Sequence, residues 1–235
     1  MAIGELQHET LGSVRVTVRQ NSRHVSARWK GGLVSLNVPQ GIRIPDLHRI
    51  LDDLTPRLLA NRPEINYFDG QELQFPDVDF VIRQQSFAPS RILATASVPV
   101  SSVEVGSDWN FDSERTTRAI SEMLCKIARK VAPQVLIPHA RDIATRLGRG
   151  PVGWTISSGH RILGQCNGRG IISLSYVLVF LPDDLRDYVI CHEIAHLSEM
   201  NHGEKFHKLL DSYLDGREAE LVRKLHSHKW PVFRK

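Results

Sequence analysis

Two kinds of apolar periodicity within 235 residues predict an α+β fold. A β-rich part with one helix is expected over 1–110. An α+β part over 111–235 is expected to be built around a helix carrying the motif His192-Glu193-Ile194-Ala195-His196. Before the boundary, apolar residues alternate with polar ones, the period of half-buried strands. Beyond it they recur every three or four residues, the period of amphipathic helices.

The first strand is expected at 13–20, where Val14, Val16 and Val18 alternate with polar neighbours. Val25, Ala27 and Trp29 form a second strand, Gly31-Gly32 a turn, and Val34, Leu36 and Val38 a third strand. Leu47, Ile50, Leu51, Leu54 and Leu58 predict a helix from about residue 45, kinked or ended by Pro56. Residues 64–106 read as β-rich, with turns at Asp69-Gly70 and near Pro76, Pro89 and Pro99. Helical spacing then predicts one helix over 113–131 and another over 134–147, closed by Gly148. Short strands are expected near 152–158, 161–166 and 170–176. No internal repeat of sequence is found.

The motif helix is expected from Leu181 to Met200, with Pro182 at its start and Asp183 and Asp184 in its first turn. Leu185, Val189, His192 and His196 fall on one face. Histidines four apart on a helix have Cβ atoms roughly 5–6 Å apart and can share one metal ion. Glu193 is then placed to act on a metal-bound water. A straight helix would carry His202 about 9 Å past His196 along its axis. A break at Asn201-His202-Gly203 instead returns His202 toward the metal as a third ligand, leaving an open position, as catalytic zinc sites do. A further helix follows through Phe206, Leu209, Leu210, Tyr213 and Leu214, with Gly216 past its end. Glu199 and His207 stand as alternative ligands or as outer partners that orient one. The spacing also fits HExxHxxGxxH, but Glu199 occupies the glycine position and no methionine follows His202, so that class is rejected.

Composition describes an ordinary globular chain, 41% hydrophobic and 24% charged, with no run of apolar residues long enough to span a bilayer. Three widely separated cysteines (Cys125, Cys166, Cys191) imply no disulfide framework and point to a cytoplasmic setting. The N-terminus lacks the pattern of a signal peptide. The net charge of +4 owes much to Arg217, Arg223, Lys224, Lys229, Arg234 and Lys235, with His226, His228, Trp230 and Phe233 nearby. This stretch is a solvated helix and tail on the simpler reading, and a nucleic-acid contact on the other.

The stretch from Asp187 to Phe206, DYVICHEIAHLSEMNHGEKF, resembles the YgjP-like metallopeptidases, relatives of the SprT-like and WLM zincins. It shares with them Tyr188, Val189, the three histidines, Glu193, Leu197, Met200, Asn201 and Phe206. Gly203 replaces their usual serine and His207 their usual tryptophan. Upstream, Ile162-Leu163-Gly164-Gln165-Cys166-Asn167 is similar to the family's R-W-G-S-C-S segment, without its Arg-Trp pair and serine. The resemblance implies a zincin-like α+β catalytic domain, with His192, His196 and His202 as ligands of Zn2+ and Glu193 as general base.

The expected function is therefore a zinc metallopeptidase acting on protein or peptide through a metal-activated water. The strands over 161–176 are expected to supply a sheet edge for extended substrate, with Gln165, Cys166 and Ile172 on it. His207, Tyr213 and His160 are candidate oxyanion stabilisers. The alternatives are a non-catalytic zinc-binding module that contacts protein or nucleic acid, and a hydrolase of non-peptide amides.

Overall fold

Alternating valines and leucines need a second layer to cover them, and the first helix supplies it. The computed structural model describes residues 2–20, 22–30, 32–62 and 64–233. Strands β1 (Ala2–His8), β2 (Gly12–Arg19), β3 (Ser26–Lys30) and β4 (Leu33–Pro39) form a sheet of order β1-β2-β4-β3. Helix α1 (Ile44–Ala60) follows. Val14, Val16, Val34, Leu36 and Val38 pack with Leu47, Leu51 and Leu58 of α1. The Trp29 indole N–H donates to the Leu58 carbonyl at 2.7 Å, and His8 meets Asp52 at 3.1 Å. Pro56 does not end α1. Strand β1 was not expected, and Gly31 of the expected turn lies outside the described residues.

Strands β5 (Gln71–Leu73), β6 (Asp79–Gln85), β7 (Ile92–Thr95) and β8 (Val100–Gly106) form a second sheet, of order β5-β6-β8-β7. Helix α2 follows over Glu114–Arg146. The Ser113 hydroxyl caps it by accepting from the Arg115 N–H. Gly148, at φ +62°, closes it as expected. The expected pair of helices is in fact one. Pro133 and Pro138 each remove a backbone donor, but Ile127, Val131, Leu136 and Ala140 on either side of them are buried. Packing thus carries the helix across two missing hydrogen bonds.

The third sheet holds β9 (Gly153–Ser157), β10 (Gly164–Cys166) and β11 (Ile171–Ser175) in the order β10-β11-β9. A buried 3₁₀ turn, Tyr176–Phe180, packs on α2, and Phe180 joins Phe75 and Phe80 in an aromatic cluster with ring centroids 5.3–5.8 Å apart. Helices α3 (Asp183–Ala195), α4 (Glu204–Tyr213) and α5 (Glu218–Ser227) complete the chain.

The three sheets repeat one plan that no sequence similarity announces. In each, two parallel strands lie side by side, β2 with β4, β6 with β8 and β9 with β11. The intervening strand, β3, β7 or β10, pairs antiparallel on the outer side of the later one. A helix follows each time.

Two compact units divide the chain: Met1–Asn66 with Phe233–Lys235, and Tyr67–Val232. The change of periodicity near 110 therefore falls inside the second unit, whose core includes β5 to β8. The two ends of that unit meet, because the Tyr67 hydroxyl donates to the Pro231 carbonyl at 2.6 Å.

Arg186 of α3 is only 2% exposed, and its guanidinium binds Asp183 at 2.5 Å and also Asp77, ahead of β6. A buried cation that loses a partner keeps its desolvation cost. Asp77→Ala should therefore lower stability by roughly 2–4 kcal/mol in urea denaturation, part being spared by the remaining Asp183. A loss no larger than at an ordinary surface position would show that Asp183 alone suffices.

Candidate metal centre

Helix α3 brings His192 and Glu193 to its last turn, and His196 is its C-cap. The helix thus stops short of the expected Met200. Single-turn bonds from Leu197 N–H to Ile194 and from Ser198 N–H to Ala195 wind it down. The Glu199 carbonyl accepts from the His196 Nδ1–H at 3.0 Å. The early stop lets the chain fold back through Asn201-His202-Gly203 into α4.

His202 returns as the spacing required. Its Nε2 lies 3.1 Å from Nε2 of His192. One nitrogen from each of His192, His196 and His202 lies within 4.8 Å of the others. Two nitrogens bound to one tetrahedral zinc at about 2.0–2.1 Å stand roughly 3.3 Å apart, so the closest pair is already near that separation. Phe206, fully buried on α4, touches all three imidazoles, with ring centroids 4.9 Å from His192, 4.6 Å from His196 and 4.7 Å from His202.

The donor set fits a metal ion. A ligand imidazole must be neutral. Burial, reinforced by His196, His202 and His207, pulls His192 down to about 4. Burial and His202 also lower His196, against the opposing hydrogen bond to Glu199. With its Nδ1 turned to the Glu199 carbonyl, His196 has Nε2 left for an ion. His192 Nδ1 is buried without a hydrogen-bond partner among the described residues.

Glu193 is 5% exposed, and burial pushes its carboxyl up to about 7 despite a hydrogen bond from the Cys166 backbone N–H. That N–H belongs to β10, an edge of the third sheet. Leu163, Gln165 and Asn167 bond toward β11, so by antiparallel alternation Gly164 and Cys166 turn their backbone groups outward.

The other expected residues fall in several places. Glu199 is not in the imidazole cluster and acts on it through its carbonyl. His207 is exposed, and its Nδ1 meets Glu218 at 2.7 Å. Gln165 and Cys166 lie on the edge strand, but Ile172 does not. It is buried in the central strand β11, between Cys166 and Trp154. His160 is buried against the Tyr176 hydroxyl at 2.7 Å, with Arg129 beside it, and the Tyr213 hydroxyl accepts from Arg149 at 2.9 Å. In the basic stretch, Arg217 pairs with Glu220 and Lys224 with Asp184, while Arg234 and Lys235 lie outside the described residues. Phe206, Gly164 and the Glu199 carbonyl carry no signal in the motif spacing, since their roles depend on the fold.

Glu193 ties stability to pH in the metal-free protein. Its carboxyl titrates near 7 when folded and near 4.5 when unfolded, so ionisation favours the unfolded chain. Its contribution is fully present below about 4.5 and lost as pH rises through about 7. In EDTA, Glu193→Gln should match the wild type at acid pH and exceed it by roughly 1–3 kcal/mol at pH 8. Parallel stability curves for the two proteins would refute the burial argument.

The family model for the YgjP-like metallopeptidase domain matches residues 23–228. No curated protein and no solved structure matches the chain. The family match takes in every strand of the third sheet and the whole histidine cluster, and the chain belongs to the YgjP-like metallopeptidase domain family.

Proposed function

We propose that the chain is a zinc-dependent metallopeptidase with a zincin-like catalytic unit. The observation that carries this reading is the convergence of three imidazoles, two of them held in the neutral form, beside a buried carboxyl. His192, His196 and His202 would hold the ion. When bound, zinc supplies a Lewis acid that makes a water acidic and polarises a carbonyl.

The protein's own groups do the rest. Glu193 takes a proton from the attacking water and passes it to the departing amine nitrogen. Phe206 packs on the three rings and limits their rotation. The outward backbone groups of Gly164 and the Cys166 carbonyl can pair with an extended polypeptide, a mode that reads main chain rather than sequence, while the Cys166 N–H stays with Glu193. This supports unfolded protein or peptide as the substrate class. Three free cysteines fit a reducing cytoplasm, and no described helix is long and apolar enough to cross a membrane.

Elemental analysis of the untagged protein should find about one zinc per chain, and none in His196→Ala. Glu193→Gln should keep its zinc and lose hydrolysis of an unfolded protein by about 10²–10⁴-fold. Normal turnover by that variant would sink the mechanism. Absence of bound metal in the wild type, even after incubation with zinc chloride, would sink the site.

A further inference from the structure

Glu193 occupies a notch in the edge strand. A Cβ built on Gly164 would lie 2.5 Å from Cγ of Glu193, 2.6 Å from Oε1 and 2.8 Å from Cδ. These distances are far inside the 3.5–4.0 Å of ordinary carbon contact. The three nearest atoms all belong to Glu193. The nearby glycines differ, since a Cβ on Gly159 or Gly168 meets nothing within 4 Å. Gly164 is also not among the residues with positive φ, so its backbone conformation is open to any amino acid. Space for Glu193 is what a side chain at 164 would take away.

Glu193 has little room to move aside. Its Cγ is one torsion from the backbone of α3, so rotating the carboxylate alone leaves the clash in place. The residue is 5% exposed, and its carboxylate is held by the Cys166 N–H. Gly164 and Cys166 are alternate residues of β10: a Cβ on the first would meet Glu193, and the N–H of the second donates to its carboxylate. One supplies an absent side chain and the other a donor.

We propose that Gly164 is a positioning residue for Glu193: the missing side chain lets the carboxylate sit against β10, on the turn of α3 that carries His192. The inference rests on the reading of Glu193 as general base, and it assigns edge strand β10 a part in the chemistry as well as in holding substrate.

The test is a double-mutant cycle of Gly164→Ala and Glu193→Ala, read by thermal denaturation in EDTA. Removing Glu193 beyond Cβ removes all three clashing atoms. Gly164→Ala should lower the Tm by several degrees when Glu193 is present and by no more than about a degree when it is absent. If Gly164→Ala alone fails to fold and the double variant folds, the coupling is shown in its strongest form. Equal Tm losses in both backgrounds, or a double variant that does not fold, would overturn the proposal. On an unfolded-protein substrate, Gly164→Ala should lose about a hundredfold in kcat with little change in KM, and should bind zinc within about threefold of the wild-type Kd. Wild-type kcat in that variant would also overturn it. The cycle needs no turnover: coupling in a protein that cleaves nothing would leave the notch standing and remove the peptidase reading instead.

Discussion

A carboxyl group taken almost wholly out of water is the constraint around which the second half of this chain is arranged. Glu193 is buried with one backbone donor, and the turn of α3 that carries it also carries His192, whose imidazole burial keeps uncharged. Such a site is costly unless its members are held in one geometry. The helix therefore ends one turn after His192, the chain doubles back to bring in His202, and α4 begins soon enough to set Phe206 under the rings. On the other side, α3 is anchored by a buried arginine clasped between two aspartates. Each element near the site either limits the movement of a polar group or keeps water away from it.

The edge strand takes its meaning from the repeated plan of the sheets. In all three, the strand outside the parallel pair is an edge, five residues long in β3, four in β7 and three in β10. The third sheet has no counterpart of β1 or β5, so it is the narrowest. The helix that follows it carries the histidines. The site is built where a plan already used twice is trimmed, and no new topology was needed. A strand of three residues has only Gly164 and Cys166 facing out, which also makes it a poor template for pairing with another copy of the chain.

Much of the site was legible because helical spacing is a local rule. His192, His196 and Glu193 are fixed relative to one another by α3 itself, and the need for His202 to return required a break in the helix. What escaped depends on neighbours distant in sequence. The stop at Ala195 reflects a carbonyl that caps His196, where spacing alone suggested five further residues of helix. The role of Glu199 lies in its backbone, which no side-chain pattern reveals. Alternation located β2, β3 and β4, whereas Gly4, Glu5 and Gln7 hid it in β1. The pause in helical spacing between 131 and 134 suggested two helices, because spacing is blind to a buried face that holds both halves in line. Ile172 was assigned to an edge because strand order cannot be read from one strand. Gly164 was visible only as the glycine of a resembling segment, since its reason is an atom on a helix that follows much later.

The hydrogen bond between Tyr67 and Pro231 has a topological consequence. The chain enters and leaves the second unit within the reach of one tyrosine side chain. Ends that lie this close could be joined by a short linker and the unit reopened at an exposed loop, with the order of its elements permuted and the imidazole cluster undisturbed.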